Sequence, residues 1–257
     1  MVSDPVPWLR SVRRSHERLA AQVGELPVSA YSDPSYDDEW SIAQVLSHLG
    51  SQAEIFSLFV EAGLEGTEAP SQSSFGPIWD RWNNKTAAEQ VADSIAANEA
   101  LLARLEGLDS EQLTAFRLEM FGMDLDITGL LRMRLSEHAV HSWDVAVTID
   151  PSAEVTADAV ELLIDGLPDL AARAGKPTDG IEPIAVSTTT PERHFLLVPE
   201  GVRLEPASDG ATHSVELPAE AFLRLLYGRL DESHPAHGDV HTSGVTVDEL
   251  RSLFPGF

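Results

Sequence analysis

Cysteine is absent from this 257-residue chain. That removes disulfides, thiolate metal sites and a protein thiol nucleophile together. Positive charge is scarce: 17 Lys and Arg, with Lys85 and Lys176 the only lysines, stand against 42 Asp and Glu, a formal charge of −25. An acidity of this size leaves no basic surface for phosphates, which excludes nucleic acid and anionic membranes as partners. No apolar run reaches the roughly 18 residues of a membrane helix. The opening stretch, MVSDPVPWLRSVRRSHERL, lacks the basic-then-apolar layout of a signal peptide, so a cytoplasmic protein is expected. What is present is ordinary globular material. Apolar residues make up 43%, which argues against disorder, and the length suits one large domain or two small ones.

The first 150 residues read as helices. Trp8, Val12, Leu19 and Val23 recur at spacings of about three and four, predicting an amphipathic helix from Pro5 to Val23. Ser41 with Gln44 forms a capping box, preceded by Trp40 as a hydrophobic staple, and the helix it opens is expected to end near Gly63. A polar loop and a short helical piece, IWDRWNNK, follow. Thr86 with Glu89 opens another helix, through Leu105 to Gly107, and a last one spans Asp126 to Ile149. Four long helices with short connections predict a bundle. After Asp150-Pro151 the texture changes. A helix from Val155 to Ala174 precedes short β-like runs (IAVST, HFLLV, VRLEP, HSVEL), a helix at AEAFLRLLYGRL, a strand near DVHTS and a terminal helix at VDELRSLF. Helices first and a mixed sheet second predict two segregated domains, 1–151 and 152–257.

With thiols absent, imidazole is the natural ligand or general base, and the chain has nine histidines. Glu137 and His141 in RLSEHAVHSWDVAV lie one helical turn apart, a spacing that lets both hold a single ion. His48, beside the apolar stripe of the second helix and flanked by Gln44 and Gln52, can point into the bundle toward the last helix. Three such ligands leave one coordination position open, as a catalytic zinc site requires. A buried structural histidine bonded to a carboxylate would use the same residues, and the spacing alone leaves both readings open. Asp209–His213 repeats the spacing in a Gly-containing stretch that is not expected to be helical. His234, His237 and His241 in SHPAHGDVH form a second histidine cluster, but Pro235 and Gly238 break any helix that would make them converge.

WSIAQVLSHLG followed some ninety residues later by RLSEHAVHSWDVAV resembles the N-terminal domain of the mycothiol-dependent maleylpyruvate isomerase family. The matching positions are Trp40, His48, Glu137, His141, Trp143 and Asp144. The resemblance implies an α + (α+β) fold: a DinB-like four-helix bundle, then a smaller sterol-carrier-like α+β domain, the latter carried mainly by Leu225–Arg229. It further implies that His48, Glu137 and His141 bind a divalent metal, usually zinc, and that mycothiol, the small thiol of actinobacteria, is the cosubstrate. The missing cysteine then acquires a meaning, because the sulfur must come from outside. The implied enzyme activates mycothiol as a metal-bound thiolate for attack on a small electrophile. It is either a cis/trans isomerase that returns the thiol or an S-transferase that leaves it on the product.

Other residues take expected roles around that chemistry. Arg229, after Gly228, is expected to bind a substrate anion, as an Arg fork suits a carboxylate. Asp144, three residues after His141, is expected to orient that ligand. Asn83, Trp82 and Trp143 are candidate substrate contacts, although tryptophans of this kind more often pack a core. A monomer is expected, since two domains of this size can bury their own cores. Two alternatives are a non-catalytic small-ligand binder and a metal-dependent hydrolase using zinc-bound water.

Overall fold

The structure, a computed structural model, describes residues 4–37, 39–120, 122–178 and 180–256. It divides into two compact units, Met1–Asp150 and Pro151–Phe257. The first contains α1 (Val6–Glu25), α2 (Ile42–Glu65), a short α3 (Gly76–Asn83), α4 (Ala87–Glu106), α5 (Ser110–Ala115), a hairpin of β1 (Leu118–Met120) and β2 (Met123–Leu125), and α6 (Ile127–Ile149). Short polar side chains start four of these helices, α2, α4, α5 and α6, by taking up backbone N–H groups that have no helical partner. Ser41 accepts from the Gln44 backbone while the Gln44 side chain accepts from the Ser41 backbone. Thr86 with Glu89 and Asp109 with Gln112 do the same, and Asp126 caps α6 through the Gly129 N–H.

The four long helices pack with α2 against α4 and α6, and α1 against α6 and α4. Two glycines on α2 set how closely its neighbours approach. A Cβ on Gly50 would lie 2.3 Å from the Trp82 ring and 2.9 Å from the Ser94 Cα, so α2 and α4 are in close contact there. Gly63 is not the helix stop that its type predicts. The helix runs two residues further, and Gly63 is a notch filled by the Phe116 ring, which a Cβ would meet at 2.3 Å. The true stop is Gly66, in the left-handed region at φ +65. No helix among the described residues is long and apolar enough to cross a membrane.

The second unit holds α7 (Ala157–Leu163), α8 (Leu167–Ala174), β3 (Ile184–Thr189), β4 (Arg193–Val198), β5 (Arg203–Pro206), β6 (His213–Pro218), α9 (Ala219–Leu226), β7 (His241–Ser243) and α10 (Val247–Leu253). The single helix expected from Val155 to Ala174 is two helices joined by a 3₁₀ turn at Ile164–Gly166. Pro168 explains the break, because it has no N–H to continue the ladder and sits at the start of α8. The sheet order is β5-β4-β3-β6-β7, with β3 and β6 parallel and the other pairs antiparallel. Register aligns Val186 with Phe195 on one side and Val215 on the other. α8 lies against β5, and α9 against β3 and β6, which buries all eight residues of α9.

Candidate metal centre

Along α6 the structure buries polar groups as well as apolar ones. Arg134, His138 and Asp144 are each at most 1% exposed, between Leu131, Leu135 and Val145 of the core. Glu137 and His141 share one face of this helix, and His48 of α2 meets them. His48 Nε2 is 3.3 Å from Glu137 Oε2, and His141 Nε2 is 3.8 Å from the same oxygen. The two imidazoles stand edge to face with centroids 4.7 Å apart. Among the described residues these three form the one group of His, Asp and Glu donors that could hold a metal, with ligand atoms all within 4.8 Å of one another. Tetrahedral coordination at about 2.0–2.1 Å sets donors roughly 3.3 Å apart. The two separations from Glu137 Oε2, 3.3 and 3.8 Å, are near that figure, and three donors would leave a fourth position open.

The residues around the donors fix their orientation. Asp144 Oδ2 lies 2.8 Å from His141 Nδ1. A carboxylate only accepts, so the Nδ1 proton belongs to that bond, and the Nε2 lone pair is left facing Glu137. Gln52, one turn from His48 on α2, donates its amide to Glu137 Oε2 at 2.6 Å. Its carbonyl accepts from Arg134 Nη1 at 2.9 Å. Trp40, placed just before the Ser41 cap, covers the pair of imidazoles, its ring 5.1 Å from His48 and stacked at 6.2 Å on His141. The loop carrying Trp40 is tied to α6 by the Tyr36 N–H, which donates to the Asp144 carbonyl at 2.9 Å.

Electrostatics favour the ligand form of His48 and Glu137. Burial lowers the pKa of His48, against the opposing pull of Glu137, so its imidazole is neutral. Burial alone would raise the Glu137 carboxyl, but the hydrogen bonds from His48 and the Gln52 amide oppose it and the pKa is held at about 2. Burial also brings the Arg134 guanidinium down to about 10, so it keeps its charge at neutral pH.

A second buried polar group lies deeper along α6. His138 Nδ1 is 2.9 Å from Ser15 Oγ and 3.1 Å from Ser142 Oγ, and its ring meets His16 edge-on at 6.1 Å. Its pKa is pushed well below the ordinary value, first by burial and then by Arg134 and His16.

The other expected residues differ in burial and partners. Trp82 is 3% exposed, packed on Gly50, with its indole N–H donated to Glu54 at 3.0 Å. Trp143 is 2% exposed and tilts against Tyr36 at 4.9 Å. Both fill the interior and present no face to a ligand, which corrects the expected substrate contacts; the tryptophan beside the donors is Trp40. Asn83 is exposed at the end of α3. Arg229 belongs to the second unit, where it is half-buried and donates to the Tyr227 carbonyl at 2.7 Å. His234 bonds Asp231 within its own loop, His237 and His241 are exposed, and His213 begins β6. Gln52 flanks His48 in the sequence at helical spacing, but its link to Arg134 has no sequence signature. Arg134 reads on its own as a surface cation between two apolar residues.

The family model for the mycothiol maleylpyruvate isomerase N-terminal domain matches residues 12–146. Two uncharacterized proteins of Mycobacterium tuberculosis, from strains CDC 1551 / Oshkosh and H37Rv, are each 25% identical over 151 residues. The match takes in 56% of this chain and 57% of each relative, so the chain spans little more than half the length of the curated relatives. Among solved structures, a mycothiol-dependent maleylpyruvate isomerase is similar at TM-score 0.70 and 12% identity, over 94% of this chain and 93% of that one. A histidine-to-alanine mutant of such an isomerase gives TM-score 0.68 at 11% identity, over the same shares. At these identities the likeness speaks for the fold. The family model covers more than half of the residues, and by that measure the chain belongs to the mycothiol maleylpyruvate isomerase family.

Proposed function

We propose that the chain is a mycothiol-dependent enzyme of the maleylpyruvate isomerase type, in which His48, Glu137 and His141 hold a divalent metal. One observation carries the reading. Two imidazole nitrogens and a carboxylate oxygen lie within 4.8 Å of one another, and one imidazole has its tautomer fixed by Asp144. Imidazole donors favour zinc over magnesium or calcium. Zinc at an open site would lower the pKa of an incoming thiol enough to deprotonate it. That suits a chain with no cysteine of its own.

The protein's own residues orient the reactants. Asp144 and Gln52 hold the ligands, and Trp40 walls one side of the site. Arg229 carries a guanidinium whose fork geometry suits an anionic group. The substrate is a small electrophile with a carbon that a thiol can attack.

Purified protein is expected to carry close to one zinc per chain, and His48→Ala to lose it. Calorimetric titration of mycothiol into the zinc form should give saturable heat, with glutathione as the control. Turnover of an electrophilic cis-alkene with mycothiol recovered unchanged identifies an isomerase. Thiol retained on the product identifies a transferase, and turnover without any thiol sinks the mycothiol reading.

A further inference from the structure

Arg134 is a cation buried at 1% exposure in the middle of a helical bundle, where an unpaired charge is costly. No carboxylate among the described residues bonds it directly. Its Nη2 donates to the Leu49 carbonyl at 3.0 Å and to Asn98 Oδ1, and its Nη1 to Gln52 Oε1 at 2.9 Å. The Phe56 ring lies 5.5 Å from its guanidinium carbon. These partners come from α2 and α4, so the guanidinium is fixed by groups on two helices besides its own.

Gln52 therefore sits between two groups of opposite hydrogen-bonding type. A guanidinium only donates, and an ionised carboxylate only accepts. An amide between them has one satisfactory orientation, oxygen toward Arg134 and nitrogen toward Glu137. Flipping it would set oxygen against carboxylate and N–H against N–H. The short Gln52–Glu137 bond, 2.6 Å, falls on Oε2, the same oxygen that faces both imidazoles. One lone pair of Oε2 is thus occupied, and the rotation of the carboxylate is fixed with the other directed at the two histidines.

We infer that Arg134 and Gln52 are positioning residues. Arg134 sets the orientation of the Gln52 amide, and that amide aims Glu137 at the ligand position shared with His48 and His141. The relay rests on the metal reading given above. It makes the buried charge part of the site, acting through one neutral side chain.

Zinc affinity, read by competing the purified full-length chain against a chromophoric chelator, tests the relay, with thermal unfolding of the metal-free protein as a second readout. Gln52 is only partly buried, so Gln52→Met keeps the bulk and removes the amide without threatening the fold. It is expected to weaken zinc binding by about 10–100-fold, the usual effect of losing a partner behind a ligand, with the metal-free unfolding midpoint nearly unchanged. Arg134→Met should weaken zinc to a similar extent, and the double variant no further than Gln52→Met alone. Unaltered zinc affinity in Gln52→Met overturns the relay, and that result decides the matter even where Arg134→Met does not fold. Additive losses in the double variant overturn the claim that Arg134 acts through Gln52. A wild-type chain that takes up no zinc overturns the metal reading, and the relay with it.

Discussion

Each unit of the molecule buries one arginine at 1% exposure, and the two are held in opposite ways. In the second unit, Arg224 Nε donates to Glu220 Oε1 one turn away, at 2.7 Å. Its Nη groups take the carbonyls of Arg229, His234 and Pro235 at 2.9–3.0 Å. All three nitrogens are engaged, the charge is cancelled locally, and the result pins the loop after α9 to the helix. In the first unit, Arg134 has only neutral partners, and its Nε has none among the described residues. The carboxylate it serves is one side chain further on. A buried ion pair that closes on itself is architecture, whereas a buried charge passed on through an amide leads toward chemistry.

Substitutions can break this contrast, and the largest effect is expected where the pair is closed. Arg224→Met leaves the Glu220 carboxylate buried without its cation, and unfolding by denaturant should show a loss of about 3–5 kcal/mol. Zinc affinity should stay as in the wild type. A fall in zinc affinity on Arg224→Met would erase the distinction between the two arginines. Asp144→Asn reverses the emphasis. It frees the His141 tautomer and should cost about 10–100-fold in zinc binding, or about 1.4–2.7 kcal/mol.

Acid should act on the first unit through His138. Its folded pKa is depressed by burial, so the folded state holds it neutral while the unfolded chain protonates it below about 6.5. Its contribution to stability is fully present above that pH and is lost as pH falls below it, with a slope of up to about 1.4 kcal/mol per pH unit. Chemical denaturation of the metal-free protein across pH 5 to 8 should show the slope, and His138→Gln should reduce it, leaving the same-signed contributions of His16 and His48. The smallest change is expected at Asn83, exposed and remote from the core. Asn83→Ala should leave stability within about 0.5 kcal/mol and the Michaelis constants unaltered.

The sequence carries the first unit's helices well because their starts are written in local chemistry. Ser41 and Thr86 announce α2 and α4 and cap them as expected, and Asp126, where the last helix is expected to begin, caps α6. Glycine was harder to read, since Gly63 and Gly66 look alike on paper and only the second terminates a helix. The hairpin Leu118–Leu125 and the short α5 went unseen, because segments of three to six residues have no period to detect. At the candidate metal centre, the convergence of His48, Glu137 and His141 was legible from helical spacing and the family's motif. Trp82 and Trp143 were not, because an aromatic residue reads the same whether it lines a cleft or fills a core. Arg134 and Gln52 were illegible as a pair, since no local rule joins residues 82 positions apart.

Gly50 gives the site a thermodynamic character of its own. It lies on α2 between His48 and Gln52, at the point where α2 presses on Trp82 and Ser94. The helix that carries one ligand and the amide behind another is held there by a contact with no slack. A close contact of this kind limits chain freedom before any ion binds. The entropy of metal capture should then come mainly from water leaving the ion, with little contribution from ordering of the protein.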